Sequence, residues 1–346
     1  MHPTHPTRTN DRPRLANHLA RLGAMSKRYL PLLVALSSGC GNDFTPVSKI
    51  ESVRILASRA DEPYAKPGDA VTLELLAVDG RPSASPPMAL HWIPVPCIDP
   101  PGDAYYGCYP SFETTFPRGV DLTPQLATGP TLSIPIPADV LTRGASTESG
   151  VPYANVYAFA MACAGHVEYV GARGSSPLSV PFGCFDESGN ERGPEDFVFS
   201  YSRVFVFADR ANENPIIDAI TVNGQPIDPA VGITVDRCAT PSAVGEDSTC
   251  ATSSIDVVVP PDSQELDPGN IGLDGTLLRE GIWVDYYVTA GKMRDDVRVV
   301  YDGHVGKVSS ATAFEAPGTA GDATMWAVVH DDRGGVSWAE IPIHVR

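Results

Sequence analysis

The side chains most able to do chemistry in this 346-residue chain are its seven cysteines and one acid- and aromatic-rich stretch. Cys40 stands near the N-terminus, at the end of a small-residue run, and the other six are Cys97, Cys108, Cys163, Cys184, Cys238 and Cys250. Six is an even set, and in an exported chain an even set reads as three disulfides. Fifteen pairings are open to six cysteines, and their order along the chain favours three local staples, 97–108, 163–184 and 238–250. Structural zinc is the poorer reading, because no two cysteines stand at the short spacing such sites use. The 33 residues 164–196 gather His166, Glu168, Tyr169, Phe182, Phe185, Asp186 and Glu187 around Cys184, a mixture of aromatic anchors and charge suited to a binding loop. Within it Asp186, Glu187, Asn190 and Glu191 offer oxygen ligands that a hard calcium ion accepts, though not at EF-hand spacing. A solvated acidic loop accounts for the same acids, and a segment that merely caps the core accounts equally for 164–196 as a whole. Tyr105, Tyr106 and Tyr109, beside Cys97 and Cys108, form a second candidate surface for a sugar or a protein, or equally a cover for one end of the core. No G-x-S-x-G, H-E-x-x-H or P-loop motif is present.

Met25 to Gly41 reads MSKRYLPLLVALSSGCG: two charges, an apolar run from Leu30 to Leu36, then small residues. That order is the layout of a secretory signal, and the run falls well short of the ~20 apolar residues a spanning helix needs. Leu36-Ser37-Ser38-Gly39-Cys40 resembles a bacterial lipobox, in which the cysteine is lipidated and the preceding segment removed. The resemblance implies a mature chain starting at a lipid-bearing Cys40 and held to a membrane by that lipid. Gly41, where inner-membrane retention is associated with aspartate, implies the outer membrane. Setting Cys40 aside is what leaves the other cysteines even in number. Residues 1–24 read as upstream sequence before a start at Met25, 25–39 as signal and 40–48 as a polar tether.

The full chain carries 25 basic and 42 acidic residues, a net charge of −17. Residues 1–39 hold six of the basic residues and one of the acids, so the remainder stands at −22. A surface of that sign repels phosphate backbones, which argues against nucleic acid as a partner.

From Ile50 onward the chain alternates short β-type runs with proline- and glycine-rich turns. Val71, Leu73, Leu75 and Ala77 share one face at period two, and Tyr153–Cys163 is the strongest β-segment of its half. The row Phe197, Phe199, Tyr201, Phe205 and Phe207, broken by Arg203, reads as buried sandwich core. A second cycle begins after a linker at 210–215 and ends in a hairpin over 324–345. About seven short strands per half, nearly free of helix, predict an all-β chain of two tandem Ig-like β-sandwich domains, 49–209 and 216–346. Strand alternation places the 97–118 insert at the end of the first sandwich opposite to 164–196, so the two are expected not to share a site. With the PGD-type turn at 67–69, a tryptophan in a strand and the DDRGG hairpin at 331–335, the halves resemble Ig-like domains of bacterial surface lipoproteins. The resemblance implies a non-enzymatic binding or scaffold role in the cell envelope, toward an unknown envelope protein or polysaccharide. A calcium-assisted carbohydrate or adhesion module, and a secreted hydrolase whose site no linear motif reveals, are the rival expectations.

Overall fold

Alternation builds the first sandwich. In the strand Ala70–Asp79 the side chains of Val71, Leu73 and Leu75 are buried while Ala70 and Thr72 face solvent. This strand pairs antiparallel with Val53–Ala60 on one side and Thr131–Pro135 on the other. The protein is seen here as a computed structural model that describes residues 45–143, 146–148, 150–172, 176, 178–241 and 249–346.

The facing sheet is organised by Val151–Cys163, buried from Ala154 to its end. Phe197–Phe207 pairs with it along almost its whole length, Cys163 opposite Phe197 and Tyr153 opposite Phe207. Ala89–Trp92 lies on its other side, and Trp92 is fully buried, donating its indole N–H to the Gly129 carbonyl at 3.2 Å. Between the sheets sit small and branched side chains, among them Val71, Leu73, Ile134, Val156, Ala158, Val204 and Val206.

The aromatic row of Phe197–Phe207 is therefore not the sandwich core. Val204 and Val206 point inward, so period two sends Phe197, Phe199, Tyr201, Arg203 and Phe205 to the outer face of the sheet. The inter-sheet space is filled by alanines and valines, and the rings need a different cover. Phe197 and Phe199 find it in the two inserts, which form a second apolar layer with Phe159 and Met161 of the neighbouring strand. Tyr201 stacks on Tyr105 of the first insert, and Phe205 and Phe207 lie against Tyr64 and Tyr153. The first insert also contains a short helix, Tyr109–Thr115, with Pro110 in its opening turn, where a missing N–H is harmless.

The second sandwich repeats the plan. A five-stranded sheet centres on Thr252–Val258, and a six-stranded sheet on Ile282–Val288, Gly321–Asp331 and Val336–Val345. Ile341, Ile343 and Val345 of the last strand point into the core with Val284, Tyr286 and Phe314. In both halves the opening segment crosses between sheets, so that a short strand pairs in parallel with the final one. Tyr64–Ala65 lies against Phe205–Val206, and Ile233–Val235 against Ile343–Val345. This shared crossover makes the architecture two tandem Ig-like β-sandwiches.

The halves are welded rather than strung. Residues Thr45–Arg346 form one compact unit. Ile50 and Leu56 of the first half bury Trp326 of the second, and the Arg59 guanidinium lies 4.3 Å over the Trp338 ring. The connecting segment is embedded: Asn214 donates to the Ala60 carbonyl and accepts from the Val336 N–H, both at 2.8 Å. Ser48 is buried as well, its carbonyl accepting from Val288, so the docked chain begins inside the expected tether. Behind this seam Arg333, nearly inaccessible, reaches Glu280 and Glu265 at 3.1 Å each, the Ala211 carbonyl and the face of Tyr64.

Candidate functional site

The three disulfides join Cys97 to Cys108, Cys163 to Cys184 and Cys238 to Cys250, with Cα separations of 6.0, 5.7 and 5.6 Å. The first two staple the inserts of the first sandwich. The sulfurs of Cys108, Cys163 and Cys184 are part of the layer that covers the outer sheet face.

The 164–196 stretch is not one long loop. His166–Tyr169 and Phe182–Phe185 form an antiparallel hairpin with Val167 opposite Cys184. Alternation turns Val167, Tyr169, Phe182 and Cys184 inward, and leaves His166 and Glu168 on the other face. There the His166 ring meets the Glu168 carboxylate at 2.9 Å. Asp121 lies beside this pair: desolvation acts to raise its carboxyl, but hydrogen bonds from Thr123 and the nearby imidazoles of His166 and His91 together hold it below the ordinary range. His91 is buried beneath, and burial pushes its imidazole pKa down. Cys163, the nearest sulfur along the chain, is closed in its disulfide.

Phe185 is half-buried at the end of the hairpin, and Asp186 opens a turn. The Asp186 carboxylate accepts the backbone N–H of Ser188 at 2.8 Å and of Asn190 at 2.9 Å, and its Oδ2 accepts the Asn190 amide at 3.1 Å. Those bonds hold its pKa below the ordinary carboxylate value. Glu187, Asn190 and Glu191 are exposed around it. Among the described residues no three His, Cys, Asp or Glu side chains are grouped to hold a metal ion. Cys40 and the 25–39 segment lie outside the described residues.

The 97–118 insert does not lie at the far end of the sandwich from 164–196. Phe112 packs against Phe182 with ring centres 5.4 Å apart and against Phe159 at 5.1 Å, and Phe116 meets Phe182 at 5.7 Å. The expectation of separate ends treated each insert as an extension of its own strand. Both instead fold back over the outer face, where Phe112 and Phe116 of one insert and Phe182 of the other pack with Phe159 and Phe199 of the sheet in a single apolar cluster. Fully burying a Phe side chain is worth about 1.5–3 kcal/mol, so the shared aromatic layer dictates the meeting.

Where they meet they leave a groove of about 280 Å³. Tyr106, Tyr109, Glu113 and Arg118 come from the first insert, and Tyr169 and Pro181 from the second. Arg118 is fixed by its own backbone: it bridges Tyr169 in parallel, and the next N–H, of Gly119, donates to the Tyr169 carbonyl at 3.2 Å. Its guanidinium donates to Glu113 at 3.2 Å and lies 5.9 Å from the Tyr169 ring centre. Gly171 makes room for it. With φ at +77°, a β-carbon there would stand 2.5 Å from the Arg118 guanidinium carbon. Tyr106 stands 39 % exposed at the rim, while the Tyr109 hydroxyl is buried and pushed up in pKa by desolvation. Sequence reasoning named the tyrosines and both staples, but it missed Glu113, Arg118 and Gly171. The sequence contained one usable signal for them, the twin disulfides, since each staple turns an insert back toward its own sheet.

No protein-family model and no curated protein matches the sequence. Solved structures that align include the fibronectin(III)-like modules of Clostridium thermocellum CbhA, at 11 % identity and a TM-score of 0.22 over 84 % of this chain and 94 % of that one. Red sea bream transglutaminase aligns at 11 % identity and a TM-score of 0.23, over 86 % of this chain and 32 % of its own. The three N-terminal domains of the bacteriophage RB49 highly immunogenic outer capsid protein align at 11 % identity and 0.18, over 85 % and 98 %. Likeness this slight carries no argument about function, and the class assigned here, a tandem Ig-like β-sandwich protein, rests on the sheets themselves.

Proposed function

We propose that the chain is a lipid-anchored cell-envelope protein that binds a partner without chemical transformation, through the groove on its first sandwich. The observation that carries the reading is the convergence of two separately stapled inserts on one tyrosine-walled groove. Loops held on a rigid sandwich are a common platform for recognition, and each staple limits the ordering cost of binding. In this reading Cys40 carries the lipid at the outer membrane, and the welded pair of sandwiches, 49–209 and 216–346 about the 210–215 segment, carries the groove. A single acyl chain anchors only marginally, so several chains are expected on the N-terminus.

Two substitutions test the two parts separately. Cys40→Ala in the producing cell should release the chain from the membrane fraction or leave it unprocessed; a normally cleaved variant that stays membrane-bound contradicts the anchor. Tyr106→Ala in the full-length chain should lower retention on immobilised envelope polysaccharide or envelope protein, with the far-UV spectrum unchanged. Undiminished retention of that variant contradicts the groove.

A further inference from the structure

We infer that the ligand of the groove is a neutral glycan chain, an inference that rests on the groove being the recognition surface. Its lining matches the two-sided chemistry of a pyranose ring. Tyr106, 39 % exposed, offers an aromatic face to the apolar C–H side of a sugar, with the largely buried Tyr109 and Tyr169 lining the groove beside it. The edge of a sugar carries hydroxyls, each both donor and acceptor. Glu113 and Arg118 meet that edge as an acceptor and a donor side by side, 3.2 Å apart and 64 % and 58 % exposed.

Charge selects against the rivals. The Glu113–Arg118 pair is neutral as a unit, so the groove holds no net field for an anion or a cation. The chain around it stands at −17, which disfavours phosphates, uronates and acidic peptides. An extended polypeptide would need backbone partners along a free strand edge. The hairpin edge beside the groove is already occupied: Arg118 bridges Tyr169, Asp121 bridges Glu168, and Leu122 N–H donates to Val167 at 2.8 Å. The volume of about 280 Å³ falls just below the ~300–1,000 Å³ of small-molecule pockets, which fits a short run of rings within a longer chain. The donor is also pre-positioned, since Arg118 is tied to the strand by its backbone and seated against Gly171.

Isothermal titration of the full-length chain tests this with neutral gluco-, manno-, galacto- and N-acetylglucosamine oligosaccharides, beside an oligouronate and a peptide panel. Saturable binding of a neutral oligosaccharide is expected, unchanged by added salt because no net charge is involved. Tyr106→Ala and Arg118→Ala should each weaken it at least tenfold, and Gly171→Ala should weaken it by displacing the guanidinium. Leu273→Ala, an exposed change on the second sandwich, should leave it unchanged. Failure of every neutral oligosaccharide to bind overturns the inference. So does binding of the oligouronate or a peptide that Tyr106→Ala abolishes, although that result preserves the groove. Binding by any ligand that neither Tyr106→Ala nor Arg118→Ala alters, in variants of native far-UV spectrum, overturns the groove reading as well.

Discussion

Replacing Arg333 by methionine removes the cation paired with Glu280, a carboxylate with no accessible surface. Burial pushes the Glu280 pKa up from 4.5 to about 7, while hydrogen bonding from the Glu265 backbone and the charge on Arg333 hold it from rising further. The folded chain therefore binds a proton at pH values where the unfolded chain has lost it. The stability this contributes is complete below the ordinary value of 4.5 and is lost as pH rises through about 7. Without Arg333 the carboxylate has a still higher pKa, so at pH 8 the variant must bury an unpaired charge or take up a proton from solution, and either costs folding free energy. Removing one partner of such a pair costs about 3–5 kcal/mol, and at about 2–4 °C per kcal/mol that lowers the Tm by roughly 10 °C. At pH 5 Glu280 is already protonated in the fold, so the loss should shrink to about 1–2 kcal/mol, that of a lost hydrogen bond. Arg333 also holds the Ala211 carbonyl and the Tyr64 face, contacts whose loss is the same at both pH values. Calorimetric melts of wild type, R333M, E280Q and the double variant at pH 5 and 8 check this. The double variant should recover about 2 kcal/mol of the R333M loss at pH 8. An R333M loss equal at both pH values, or no coupling with E280Q, refutes the reasoning.

Arg81 is a second buried cation, bridging Asp79 and Asp196 at 2.6 Å each. Its hydrogen bonds hold the Asp79 pKa below 3.8, so that stabilisation is present above the ordinary carboxylate value and is lost as pH falls through the lowered one. Arg81→Ala should cost about 3–5 kcal/mol at pH 7, and the loss should shrink as pH falls through the lowered Asp79 value, read from urea midpoints over an acid series. Phe112→Ala removes the ring wedged between Phe159 and Phe182 and should cost about 3–5 kcal/mol, with limited proteolysis cutting first within 98–118. Chelator should leave the melting temperature unmoved, because the N–H groups of Ser188 and Asn190 already engage the Asp186 carboxylate; a Tm that rises with added calcium contradicts this.

The β-class was legible because Val71, Leu73 and Leu75 alternate on a strand with one buried face. All three disulfides followed from order along the chain, since each closes a local insert. Period two also showed that the rings of 197–207 share a face, but it is silent on which of two faces is the sandwich core. That was decided by alanines and valines of Val151–Cys163, whose small side chains fill the inter-sheet space and leave the rings outside. The groove was half legible for the same reason. Tyr106, Tyr109 and Tyr169 are conspicuous residue types, whereas Arg118 and Glu113 acquire a role only once two inserts far apart in the chain, 97–118 and 164–196, are packed together. Gly171 looks like any loop glycine until the Arg118 guanidinium lies against it.

The claim that this molecule recognises its partner at the meeting of its two stapled inserts has one direct measurement. Amide hydrogen exchange of the full-length chain, followed with and without saturating envelope polysaccharide, locates the contact without any substitution. Slowing confined to peptides covering 105–118 and 166–182, with peptides of 219–345 unchanged, is the predicted result. Saturable binding that slows exchange only elsewhere, in the second sandwich or along the seam between the two, would contradict it.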